Sequence, residues 1–374
     1  MITKEEIRQL NAVTLYLKPT YSVVLPMRSS EPRTLTAAQL ENLKNLEKNS
    51  SDGSLSRKAQ QRLVNSVNWL LAAAKKKRVF SKEQNRSFLF RVNFITLTLP
   101  GQFQEISDHK FKSVLLHNFI NTCRYKYNLK NFVWKVEAQA NGKIHAHFTT
   151  DSFIPIHGLR RTWNEILRKN GLLDMYIAKH SQMSLEDYIE AYNNEGKVDV
   201  KTLTKRYKEG TASGWSNPNS TDVKAVHKVD DLGAYMSKYF SKNDDERRKI
   251  EGRLWACSYH ISQANKTAID IPFDMAQTDL AEFFKPNINY KQLFINEDDP
   301  LKMKKIGELF FYKLGEIGKS INGKIADIYK SVLFNIRHCI DIDFFKEEIQ
   351  EITNKYSYVP PEHKPKVSQT YCPF

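Results

Sequence analysis

The chain has 374 residues, 41% of them hydrophobic and 11% aromatic, enough to bury a sizeable core and too many for a chain disordered throughout. Its 57 lysines and arginines exceed 42 aspartates and glutamates by +15, which points to an anionic partner, although a solvated basic surface has the same composition. Met1 to Glu6 carry no apolar leader and runs such as Trp69 to Ala74 are too short to span a bilayer, so a soluble, cytoplasmic protein without a membrane partner is expected. Cys123, Cys257, Cys339 and Cys372 are far apart and form no CxxC pair, which favours reduced structural thiols over a zinc ribbon or a disulfide scaffold.

In chain order, Ser50 to Gly53 reads as a loop and Ser54 to Lys58 as the start of a basic helix through Leu63, Val64, Val67 and Leu71. That helix is expected to end at Lys75-Lys76-Lys77-Arg78, where cations suit the dipole. From about Phe88 the texture changes to strands. Phe94 to Leu99 alternates, with Ile95, Leu97 and Leu99 on one face, and Ser107 to Tyr127 has the apolar stripe of a helix. Strands are predicted over Phe132 to Ala140 and Ile144 to Thr150, then a helix from Pro155 to Asn170-Gly171. Leu172 to Ala178 reads as a further strand, followed by a polar insertion up to Gly214-Trp215-Ser216-Asn217-Pro218. Asp222 to Val229 reads as the last strand, and Asp230 or Asp231 as the cap of a helix through Lys242. The tail from about Ile271 reads as mostly helical. The pattern predicts an α+β protein: a central antiparallel or mixed sheet with flanking helices, related to split βαβ arrangements. Its expected divisions are 1–85 (basic, helical), 86–265 (the domain with the chemistry) and 266–374 (helical).

The chemistry is concentrated in the hairpin. A two-residue loop at Asn141-Gly142 would put His145 opposite Ala138 on an apolar face. A three-residue loop with Gly142 in the left-handed position of a bulge instead sets Gln139 against His145 and Glu137 against His147. Val136, Ala138, Ile144, Ala146 and Phe148 then line one face and Glu137, Gln139, His145 and His147 the other. Two imidazoles at i and i+2 facing carboxylate and amide oxygens suit a hard divalent cation, Mg²⁺ or Mn²⁺. Two half-exposed histidines would give the same spelling. A metallo-hydrolase of the HxHxDH kind is a competing reading, but Phe148-Thr149-Thr150-Asp151 lacks its downstream ligands.

On a helical period Tyr235, Lys238, Tyr239 and Lys242 share a face beside apolar Leu232, Met236 and Phe240. An amphipathic surface helix would look the same, but beside a metal site two phenols and two ammonium groups suit transesterification of a DNA phosphodiester. A tyrosine would attack phosphorus and the 3′-oxygen would leave, with Lys238 stabilising tyrosinate or transition-state charge.

These segments resemble the HUH endonuclease superfamily, and within it the rolling-circle replication initiators of microviruses. The resemblance rests on Phe94 to Leu99, on Glu137-Ala138-Gln139 with Ile144-His145-Ala146-His147-Phe148, and on Tyr235-Met236-Ser237-Lys238-Tyr239, in that order. Asn219 to Val223 and Gly252 to Ser258 add to it, so that it covers about residues 88 to 262. It implies Tyr235 and Tyr239 as nucleophiles, Lys238 as supporting cation, and His145 and His147 as metal ligands. The third ligand is Glu137, favoured for its charge, or Gln139; Asp222 either touches the metal or simply begins its strand. The implied partner is a single-stranded DNA origin, with Lys242 on phosphate and Trp215, in its Gly/Ser/Asn/Pro-rich loop, as a stacking platform. Trp134 is expected to face the core. Gly318-Lys319-Ser320 lacks the first glycine of a nucleotide-binding loop, so unwinding is left to a host helicase and replication machinery. A relaxase, a single-strand transposase and a non-catalytic nucleic-acid-binding domain are the rival readings.

Overall fold

The computed structural model describes residues 12–26, 37, 41, 54–82, 85–100, 106–139, 142–193, 196–226, 248–272, 289–296, 303–312 and 323–339. In chain order the elements are β1 (Ala12–Leu17), β2 (Tyr21–Pro26), α1 (Arg57–Ala73), β3 (Lys77–Ser81), β4 (Arg86–Phe90) and β5 (Val92–Leu97). Helical turns at Asp108–Lys110 and Phe111–Leu116 lead into α2 (His117–Tyr127), and then come β6 (Phe132–Ala138), β7 (Ile144–Thr150), α3 (Ile156–Lys169), α4 (Asp174–Ser181), α5 (Leu185–Tyr192) and α6 (Val200–Ala212). The remainder is β8 (Thr221–Val226), β9 (Trp255–Cys257), α7 (Tyr259–Ala264), β10 (Ala268–Pro272), β11 (Asn289–Asn296), β12 (Met303–Phe311) and α8 (Gly323–His338). The protein is α+β, and the chain divides into two compact units, Ser51–Ser258 and Met1–Ser50 with Tyr259–Phe374.

The unit Ser51–Ser258 is built on a five-stranded sheet in the order β8-β5-β7-β6-β9, with every neighbouring pair antiparallel. Strict alternation along β5, β6 and β7 sends Ile95, Leu97, Trp134, Val136, Ala138, Ile144, Ala146 and Phe148 into one core with residues of α2 and α3. On α3 the buried residues Leu159, Thr162, Trp163, Ile166 and Leu167 recur at the helical period, and Trp163 Nε1 donates to the Thr98 carbonyl at 2.8 Å. The rings of Phe119, Phe148 and Trp163 meet edge to face. Each such buried side chain contributes on the order of 1.5–3 kcal/mol, so this layer supplies the rigid base of the opposite sheet face.

Helix α1 covers part of that opposite face. Ser56 caps it, accepting from the Ala59 N–H at 3.2 Å, and the helix packs on β6 and β9. Ser66 Oγ donates to Cys257 Sγ at 3.8 Å, and Cys257 is the cross-strand neighbour of Val133. The expected basic C-terminus of this helix is corrected: Ala74 is already extended (ψ 126°), and Lys77 and Arg78 belong to β3. Three adjacent basic side chains repel less on alternating sides of a strand than stacked on a helix end. Leu172 to Ala178, expected as a strand, starts α4 at Asp174. Leu172 and Leu173 are buried in the main core, so their apolarity reports packing rather than strand pairing.

In the other unit, strands from both ends of the chain form one sheet in the order β10-β1-β2-β12-β11. Leu15, Leu17 and Val24 are buried, and the Tyr312 hydroxyl donates to the Tyr21 carbonyl at 2.8 Å and lies 3.0 Å from Ser22 Oγ. The expectation of an all-helical tail is therefore corrected by β10, β11 and β12, while α8 is helical as read. Pairing partners almost 300 residues apart leave no local signature. No helix among the described residues is long and apolar enough to cross a membrane. Cys123, Cys257 and Cys339 are free thiols; burial pushes Cys123 up to about 12, consistent with an inert core group.

Candidate metal centre

The β6–β7 hairpin has a register different from the expected one. Glu137 faces His145 and Lys135 faces His147, whereas Gln139 closes the turn by donating its N–H to the Lys143 carbonyl at 2.7 Å. Gly142 donates its N–H to the Gln139 carbonyl at 2.8 Å and adopts φ +79°. In a turn of this kind the left-handed residue comes last in the loop, so Lys143 begins the pairing; the loop expected from sequence has Gly142 in its middle. The correction shifts the pairing by two residues. A two-residue shift preserves which face each side chain occupies, and so the histidines and Glu137 still converge.

Glu137 Oε1 lies 3.0 Å from His147 Nε2 and 3.2 Å from His145 Nε2, and the two Nε2 atoms are 2.9 Å apart. These atoms form a compact triangle capable of holding a metal ion. Ligands ~2.1 Å from a cation at octahedral right angles sit ~3.0 Å apart, so the observed spacings fit one face of such a site. Two imidazole nitrogens this close, both buried, are poorly served by one another alone. The donor set of two imidazoles and one carboxylate oxygen fits a borderline to hard divalent ion.

Neighbouring groups hold the triangle in place. His147 Nδ1 is 3.3 Å from Thr96 Oγ1, and its ring stacks on Phe94 with centroids 5.4 Å apart. A Thr96 contact at Nδ1 leaves Nε2 as the coordinating atom. Lys135 Nζ approaches the other carboxylate oxygen of Glu137, Oε2, at 3.4 Å, and both side chains are largely buried. Sequence reasoning misses Lys135 and Thr96. The signal is present in the alternation, since both residues share the face of His147.

Burial pushes the Glu137 carboxyl up, but hydrogen bonds from His145 and His147 and the positive charge of Lys135 outweigh it and hold it far below the usual range. Burial holds His147 below the usual 6.5, against the opposing pull of Glu137 and with help from His145 and Lys135. A carboxylate kept ionised beside an imidazole kept neutral has the protonation state that metal binding requires.

The hairpin tip is clamped from outside the sheet. Arg248 donates Nε to the Gly142 carbonyl at 2.8 Å and its two terminal nitrogens to Asp108 at 2.8 and 2.9 Å. Asp108 also accepts the Glu251 N–H at 2.9 Å, and Val136 N–H donates to the Leu254 carbonyl at 2.8 Å. The chain that follows residue 247 is thus tied first to the turn and then to the strand bearing Glu137.

Other expected site residues are placed as follows. Asp222 is exposed, within β8 and opposite Thr96, and is not one of the converging ligands. Trp134 is buried in the main core, as expected. Trp215 is corrected: it is only 5% exposed, enclosed by His180, Tyr188, Tyr207 and Leu203, and offers no stacking face. It adopts φ 58° with its ring against Gly210, where a Cβ would fall 2.2 Å from the ring. Tyr235, Lys238, Tyr239 and Lys242, with Gly318-Lys319-Ser320, lie outside the described residues.

Residues 92–244 match the family model of replication-associated proteins of the ORF2 type. The matched stretch contains β5, the whole β6–β7 hairpin and the segment from Tyr235 to Lys242. The chain is therefore similar to replication-associated proteins across the stretch that carries the histidine–glutamate cluster. No curated protein and no solved structure is matched.

Proposed function

We propose that the chain is a rolling-circle replication initiator of the HUH type, which nicks single-stranded DNA at an origin and rejoins it. The observation that carries this reading is the Glu137–His145–His147 triangle, inside the stretch similar to replication-associated proteins and in the same stretch as Tyr235 and Tyr239. Residues 86–265 would form the catalytic domain. The likeness to microvirus initiators supplies the tyrosine roles.

In this reading His145, His147 and Glu137 hold Mg²⁺ or Mn²⁺, with Gln139 left to its turn. A cation bound there would withdraw charge from a non-bridging oxygen of the scissile phosphate. Tyr235 or Tyr239 loses its phenolic proton and its oxygen bonds to phosphorus, while the bond from phosphorus to the 3′-oxygen breaks. The products are a 5′-phosphotyrosine and, after protonation, a free 3′-hydroxyl. Lys238 stabilises the phenolate, Lys242 contacts phosphate, and Thr96 and Lys135 keep His147 and Glu137 oriented. Because the phosphotyrosine ester retains the bond energy, a second 3′-hydroxyl can displace the tyrosine and reseal the strand without ATP. Two tyrosines let one hold the cut end while the other cuts again. The partners are the single-stranded origin and a host helicase with its replication machinery.

The test uses 3′-labelled single-stranded oligonucleotides tiling the genome that encodes the chain, incubated with protein and Mn²⁺. A labelled band that migrates with the protein on a denaturing gel is expected for the wild type and not for Tyr235→Phe/Tyr239→Phe. No adduct on any tile would overturn the reading and favour a non-catalytic nucleic-acid-binding protein.

A further inference from the structure

Ahead of the central sheet, β3 and β4 form a two-stranded ribbon with Arg78 opposite Leu89 and Phe80 opposite Ser87. Its inner face is anchored. Phe90 and Ser81 are buried, Phe88 and Phe90 each meet the Phe153 ring edge to face with centroids 5.4 Å apart, and Lys77 lies over Phe90. That packing fixes the alternation, and the alternation turns Arg78, Phe80, Ser87 and Leu89 outward.

Phe80 is 56% exposed and Leu89 44%, an aromatic and an aliphatic side chain diagonal to each other on one open face. A strand pair packed on one side ordinarily carries polar groups on the other. Around these two residues Lys75, Lys76, Arg78 and Lys82 are exposed, and neither strand contains an acidic residue. An apolar ring inside a field of cations is complementary to a polyanion that also presents flat apolar faces. Single-stranded nucleic acid has that composition, whereas a duplex keeps its base faces stacked inside.

We infer that the outward face of this ribbon binds single-stranded DNA, Phe80 stacking on an unpaired base beside Leu89 while Arg78 and the neighbouring lysines hold the phosphates. The inference rests on the proposed nickase reading for the identity of the nucleic acid. It also takes the stacking role first expected of Trp215 and assigns it to an exposed ring. β4 runs through Arg91 into β5, and Thr96 beside His147 lies only about 13 Å along β5 from Val92 at ~3.3 Å per residue. DNA seated on the ribbon is thereby led toward the metal centre.

The experiment measures fluorescence anisotropy of a labelled oligothymidylate and of a duplex of equal length against the full-length protein, its Phe80→Ala, Phe80→Trp and Arg78→Ala variants. Phe80→Ala should weaken single-strand binding about tenfold and Phe80→Trp should restore it. Arg78→Ala should reduce the slope of log affinity against log salt by about 0.7. Thermal unfolding checks that these exposed positions leave the fold intact. Unchanged affinity of Phe80→Ala, no measurable wild-type affinity, or an equal loss on the duplex would overturn the inference. The adduct assay on the same proteins separates the two proposals. A tyrosyl adduct with Phe80-independent binding removes the ribbon alone; Phe80-dependent binding without any adduct removes the nickase and leaves the ribbon.

Discussion

Two places in the unit Ser51–Ser258 bury histidine, and they do so differently. In the helical insertion of α4, α5 and α6, His180 is 2% exposed among Tyr176, Tyr188, Tyr192 and Trp215. Both its nitrogens have conventional partners: Nδ1 lies 2.7 Å from the Tyr176 carbonyl and Nε2 2.8 Å from the Tyr192 hydroxyl. At the sheet, the Nε2 atoms of His145 and His147 turn toward each other and toward one carboxylate oxygen, and His145 Nδ1 is buried with no hydrogen-bond partner among the described residues. A buried imidazole with ordinary donors and acceptors at both ends is a structural strut. Imidazoles aimed at a shared point beside an ionised carboxylate leave a balance of charge and hydrogen bonds that a cation completes.

The comparison breaks most readily at the ligands. His145→Ala/His147→Ala should lower Mn²⁺ affinity by at least about 100-fold, read by calorimetry, and abolish adduct formation while leaving most oligothymidylate binding, since the phosphate-attracting charge lies elsewhere. Parallel loss of binding in a folded variant would argue that the histidines are structural as well. Trp215→Ala should cost about 3–5 kcal/mol in urea unfolding, as expected for an enclosed aromatic, with Mn²⁺ affinity unchanged. A metal effect from Trp215 would erase the distinction between the two clusters.

Thr96→Val sharpens the contrast, because it removes one hydrogen bond to His147 and keeps the shape. Mn²⁺ affinity should fall about tenfold with a change in stability of about 1 kcal/mol or less. The smallest effect is on pH dependence. Burial holds both His147 and His180 below 6.5, so the unfolded chain takes up their protons first. Their stabilising contribution is complete above 6.5 and is lost as pH falls through the lower folded values, and the urea midpoint should therefore decline on acidification. Added Mn²⁺ should raise that midpoint at neutral pH in the wild type and in Trp215→Ala, but not in His145→Ala/His147→Ala.

Much of this was legible along the chain wherever the physics is local. The caps at Ser56 and Ser107, the stripe of α3 and the alternation of β5, β6 and β7 all depend on neighbours within a few residues. Trp215 misleads because glycine, serine, asparagine and proline nearby suggest an open loop, whereas its enclosure comes from helices earlier in the chain. Lys135 is easily passed over because a lysine in a strand reads as solvent-facing, and only Glu137 and the covering layers make its burial tenable.

The amino-acid order alone determined that Glu137, His145 and His147 share one side of a hairpin, because side chains alternate with a period of two and the apolar residues between them demand the other side. It could not decide that Glu137 stands against His145, that Thr96 and Lys135 orient the cluster, or that Arg248 and Asp108 hold its turn. Those contacts join residues from up to about 140 positions apart in the chain, and their geometry exists only once the turn at Gly142 and the packed sheet have fixed the register.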